Sequence, residues 1–146
     1  MLPPLTTDGL LPPGVHAADW PALNAQFGYN PRRRVLLASF RDLCAVLGFA
    51  GCPTVWLDGS FVSDKELPGD YDACWDWHGV DPSKLDPALL DFSPAGRIVM
   101  KAKYFGDIFL AGTIEGSTGL PFVDFFQQTR NGSTKGIVSL DPRSVP

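Results

Sequence analysis

Histidine and methionine are scarce in this chain, with two of each. The three cysteines, Cys44, Cys52 and Cys74, are an odd number without metal-ligand spacing. Each sits among apolar neighbours, as small buried thiols do, so a reducing, cytoplasmic compartment is expected. No uninterrupted apolar run approaches the length of a membrane span. The N-terminal Met1-Leu2-Pro3-Pro4 lacks the basic region and apolar stretch of a secretory signal. Repeats and low-complexity tracts are absent. Cations are outnumbered, 12 against 16 acids, and the net charge of −4 gives no general reason to bind nucleic acid or an anionic membrane. His16 and His78 have no partner pattern that argues catalysis.

What is present is one domain's worth of chain. Its 146 residues are enough to bury a core, and 45% are hydrophobic. Fourteen prolines and fifteen glycines point to many turns and short elements rather than a helical bundle. The expected class is α+β, a mixed sheet with helices packed on it, in a single domain spanning 1–146.

Residues 1–18, rich in proline and glycine, read as an extended arm on the surface. Asp19 is a predicted N-cap for a short helix from Trp20 to about Phe27. Asn30-Pro31 opens the main helix, with Leu36, Phe40, Leu43 and Leu47 along one face. Arg32, Arg33 and Arg34 oppose the macrodipole in its first turn. They are either a solvated helix start paired with scattered acids, or a contact for RNA or an acidic partner. Residues 81–92 read as one or two helical turns within a loop. A helix is predicted over Pro94–Tyr104, a strand or extended segment over Asp107–Ala111, and strands over Leu120–Phe126 and Gly136–Leu140 that form a hairpin. The tail, Asp141–Pro146, is expected to be loose.

The stretch that organises the chain runs from Val55 to Trp77. Thr54–Leu57 reads as a buried strand, Gly59-Ser60 as a tight turn, and Asp70–Trp75 as a second strand opened by Pro68-Gly69. Strand side chains alternate faces, so Asp70 and Asp72 point the same way. Like charges that close repel, unless a cation lies between them or one is protonated. A lone Asp-x-Asp is also compatible with a solvated strand face. The Gly-Ser turn upstream shifts the balance. Glycine lets the backbone approach a phosphate chain, the following amides and the Ser60 hydroxyl donate to its oxygens, and two carboxylates plus phosphate oxygens suit Mg²⁺.

Leu57-Asp58-Gly59-Ser60, the Phe61–Gly69 spacer and Asp70-Tyr71-Asp72-Ala73 resemble the signature of the nucleotidyltransferase superfamily. With Leu11–His16, Lys101–Tyr104, Asp124–Gln127 and Lys135–Val138, the likeness extends to a group of uncharacterised bacterial proteins of about this size, related to the minimal nucleotidyltransferases. The resemblance implies a nucleotidyltransferase-like sheet. It implies that Asp70 and Asp72 hold Mg²⁺, and that Asp124, within Phe122-Val123-Asp124-Phe125-Phe126, completes the metal site and helps deprotonate the attacking hydroxyl. The alternative for Asp124 is a cap, or a pair with an arginine inside the sheet. Gly59, Ser60, Lys65 and Lys101 are the residues expected to bind the triphosphate, although Asp64 and Glu66 depart from the pattern by placing acids beside it.

The reaction implied is in-line attack on the α-phosphate of a nucleoside triphosphate by a protein or RNA hydroxyl. Minimal nucleotidyltransferases often occur in toxin–antitoxin and phage-defence modules. The competing expectation is an inactive nucleotidyltransferase-like binding module acting as an antitoxin or regulatory partner.

Overall fold

The computed structural model describes residues 1–146. Its centre is a five-stranded mixed sheet in the order β1-β5-β2-β3-β4. The strands are β1 (Gly14–Ala17), β2 (Val55–Asp58), β3 (Tyr71–Trp75), β4 (Gly106–Leu110) and β5 (Gly136–Leu140). β2 runs antiparallel to both β3 and β5, whereas β3 and β4 are parallel, as are β1 and β5.

The helices are α1 (Trp20–Phe27), α2 (Pro31–Phe49), α3 (Pro94–Tyr104) and the four-residue α4 (Phe122–Phe125). Local chemistry explains where the first three begin. Asp19, Asn30 and Ser93 each accept a hydrogen bond from a backbone amide of the first turn, and a proline follows within that turn. The apolar stripe of α2, Leu36, Phe40, Leu43 and Leu47, is fully buried. It packs with Val55, Leu57, Tyr71, Ala73 and Trp75 from one face of the sheet. At roughly 1.5–3 kcal/mol for each large side chain removed from water, this layer is the main stabilising unit. α3 forms the crossover between the parallel strands β3 and β4, and Phe105 ends it in the left-handed region at φ 59°. No helix is long and apolar enough to cross a membrane.

Four expectations are corrected. The strand predicted over Leu120–Phe126 is instead a turn leading into α4. A short, continuously apolar run carries no periodicity that separates a strand from a buried helical turn. Pro121 starts that turn, and Phe122, Phe125 and Phe126 pack on the second face of the sheet with Cys74, Phe109 and Ile137. The predicted hairpin therefore shrinks to a single bridge between Gln128 and Thr134, and β5 pairs with β1 and β2.

The N-terminal arm is not merely superficial: it supplies edge strand β1 and buries Leu2 and Leu11. The tail is not loose either. Pro142 is buried in a short turn, and Arg41 donates to the Pro146 carbonyl.

The arginine triplet is the fourth correction. Arg33 is completely buried and donates to the carbonyls of Phe27 (3.2 Å), Phe61 (2.6 Å), Ser63 (2.7 Å) and Lys65 (2.5 Å). Arg32 donates to the carbonyls of Pro68 and Gly69, and Arg34 to that of Gly28. Arg33 is therefore withdrawn from solvent, and none of the three forms a salt bridge with an acid. Two of them fasten the connector between β2 and β3 to the start of α2.

Candidate carboxylate cleft

The site is built by sheet register. Asp58 ends β2 and lies opposite Asp72 on β3, which in turn lies opposite Asp107 on β4. Directly opposed residues project to the same face, so three carboxylates stand side by side across three strands. Asp70 lies two residues before Asp72.

Gly59 follows at φ 88°, and a Cβ there would lie 3.0 Å from Asp72 Oδ2. The absence of a side chain thus allows the turn to close against the row. Ser60 opens a 3₁₀ turn through Val62, and the connector beyond it is held by Arg33.

The outer acids of the row have cations; the central one does not. Lys135 Nζ lies 2.8 Å from Asp58 Oδ1, a buried pair. Burial raises the Asp58 pKa, and Lys135 opposes that rise. Lys101 Nζ bridges Asp70 Oδ2 at 2.8 Å and Asp107 Oδ2 at 3.5 Å, and Arg97 Nη2 is 3.9 Å from Asp107 Oδ1. Asp72 has no cation within ion-pair distance. Burial, then the charges of Asp58, Asp70 and Asp107, push its pKa up to about 7, with Lys135 offsetting part of this.

The row opens into a cleft of about 530 Å³. Arg97, Arg130 and Lys135 contribute cations, and Phe109, Phe122, Phe125 and Phe126 form an aromatic wall. Glu115 also lines it, but its carboxylate accepts from Ser117 and Thr118 and is drawn down to about 2, which ties it into its own loop.

Of the residues expected from sequence, Asp72 lines the cleft, Gly59 closes against it, and Asp70 pairs with Lys101 beside the row, these last three outside the cleft lining. Ser60 adjoins Gly59 but does not line the cleft, and Lys65 is exposed and does not line it either. Asp124 does not join the row. It is exposed on α4 and lines a separate groove of about 560 Å³ with Trp56, Trp75 and Trp77.

The position that reasoning gave to Asp124 is filled geometrically by Asp107, an acid embedded in the apolar strand Gly-Asp-Ile-Phe-Leu. That pattern was present in the sequence, but its partner strand was not. Arg97, Arg130 and Lys135 were also missed, because the folded chain alone places them at one cleft.

No group of three or more histidine, cysteine or acidic side chains is arranged to hold a metal ion by itself. Mg²⁺, however, keeps waters and is bound through one or two carboxylates plus substrate phosphates rather than by an all-protein cage. The row offers carboxylate oxygens only, with Asp72 lacking a cation and Lys101 already lying between Asp70 and Asp107.

The fold and this cleft define an α+β domain with an acidic row at one end of its sheet. The chain belongs to the family of unknown function DUF6932, whose profile it matches over residues 3–141. No curated protein and no solved structure matches it.

Proposed function

We propose that this chain is a Mg²⁺-dependent nucleotidyltransferase that transfers a nucleoside monophosphate from a nucleoside triphosphate to a hydroxyl of a protein or an RNA. The observation that carries the reading is the in-register row Asp58–Asp72–Asp107, closed against the Gly59-Ser60 turn and opening into a cleft lined by Arg97, Arg130 and Lys135. Asp72 and Asp107, with Asp70, are the residues that would hold Mg²⁺, which when bound supplies charge neutralisation for the triphosphate and the developing oxyanions.

The protein's part is electrostatic and positional. Cations of the cleft bind the phosphates, and the glycine turn closes beside Asp72 without a side chain in the way. The acceptor oxygen bonds to the α-phosphorus, the bond from that phosphorus to the β-phosphate bridging oxygen breaks, and pyrophosphate leaves. The hydroxyl proton passes to a carboxylate of the row or to solvent as the new oxygen–phosphorus bond forms.

A second reading, an inactive binding module, is favoured by one observation: Lys135, Lys101 and Arg97 already offset Asp58, Asp70 and Asp107, leaving only Asp72 of these strand-borne acids without a cation. Incubation with each labelled triphosphate, Mg²⁺ and cell lysate separates the two. The enzyme labels a protein or RNA, and its Asp72→Asn variant does not. A wild type that labels nothing, and gains no thermal stability from Mg²⁺ with any triphosphate, leaves the binding module.

A further inference from the structure

Beside the carboxylate row lies a smaller slot of about 210 Å³, lined by Phe92, Arg97, Phe109, Leu110, Thr113 and Phe122. Four of its six lining residues are aromatic or apolar, with Arg97 and Thr113 the polar two. Phe109 and Phe122 stack with centroids 4.1 Å apart and planes 4° from parallel. Phe92, 38% exposed, lines the slot and belongs to neither buried core cluster.

The slot is continuous with the acidic cleft through two features. Asp107 and Phe109 are alternate residues of β4 and so share a face, about 6.6 Å apart along the strand. Arg97 spans the junction, its guanidinium 3.9 Å from Asp107 and 5.2 Å from the Phe109 ring centroid.

Resting on the nucleotidyltransferase reading, we propose that this slot is the nucleobase subsite. It holds the base of the incoming triphosphate against Phe92 and the Phe109–Phe122 pair while Asp107 lies at the α-phosphate. The separation along β4 is the reach from an α-phosphate to its base across one ribose. Arg97 at the junction meets the phosphate–ribose segment. Planar, uncharged faces are what stacking residues recognise, and every base has one. Thr113 is the slot's one hydroxyl side chain, so recognition is by stacking rather than by a hydrogen-bond code. Purines are therefore held more tightly than pyrimidines, with little distinction between adenine and guanine.

The test compares Mg²⁺ with ATP against Mg²⁺ with inorganic tripolyphosphate by titration calorimetry on the full chain. The wild type binds ATP at least about tenfold more tightly, the value of one stacked base. Phe92→Ala reduces that advantage by about tenfold and leaves tripolyphosphate affinity unchanged. Phe92→Trp, which keeps a stacking face, retains it. Equal affinity of the wild type for ATP and tripolyphosphate overturns the subsite while leaving the transferase reading intact. So does a Phe92→Ala variant that weakens both ligands alike. Binding of neither ligand overturns the transferase reading and the subsite with it.

Discussion

Asp72→Asn isolates the central physical claim about the acidic row, because asparagine keeps the shape and removes the charge. The carboxyl is moved from its ordinary 3.8 to about 7 by burial and by Asp58, Asp70 and Asp107. A group whose folded pKa is raised holds its proton more tightly in the native state. Its contribution is therefore neutral below about pH 4, turns unfavourable as pH rises from there, and is fully unfavourable above about pH 7. At 1.36 kcal/mol per pKa unit, the displacement corresponds to roughly 4 kcal/mol as an upper limit. Asp72 is only partly shielded from solvent, and a discount for screening brings the expected effect to about 2 kcal/mol.

Denaturant titrations in chelator, without Mg²⁺, read this directly. The variant and wild type match at about pH 4. By pH 8 the variant is about 2 kcal/mol more stable, a melting temperature higher by roughly 6 °C. A variant that is less stable at pH 8, or whose advantage does not change with pH, refutes the reasoning.

Two further outcomes concern the connector that shapes the site. Arg33→Met leaves the carbonyls of Phe61, Ser63 and Lys65 without their buried donor and destabilises by about 3 kcal/mol or more, measured as a lower denaturation midpoint. Gly59→Ala places a Cβ against Asp72 in a left-handed backbone and costs about 1–2 kcal/mol, with a matching fall in melting temperature.

Much of the fold was legible because local signals agreed with the tertiary arrangement. Asp19, Asn30-Pro31 and Pro94 mark three helix starts, and the Leu36–Leu47 stripe marks the face that covers the sheet. What was not legible is what depends on who neighbours whom. The Phe122–Phe126 run is apolar in either conformation, and its packing on Cys74 and Ile137 selects the helical turn. Arg33 looked like one of three surface cations, yet its environment comes from a loop some thirty residues away.

The same holds for the site. Asp70 and Asp72 could be paired from their spacing alone, within one strand. Asp107 joins them only through the β3–β4 register, and no spacing rule links positions 72 and 107. Lys135 reaches Asp58 from the segment just before β5, which sequence order places last.

Asp107, and not Asp124, completes the proposed site with Asp72. Calorimetric binding of ATP with Mg²⁺ to wild type, Asp107→Asn and Asp124→Asn is its most direct test. Binding is lost, by at least about tenfold, in Asp107→Asn and unchanged in Asp124→Asn, whose side chain lies in the separate tryptophan-lined groove. Retention in Asp107→Asn together with loss in Asp124→Asn contradicts it.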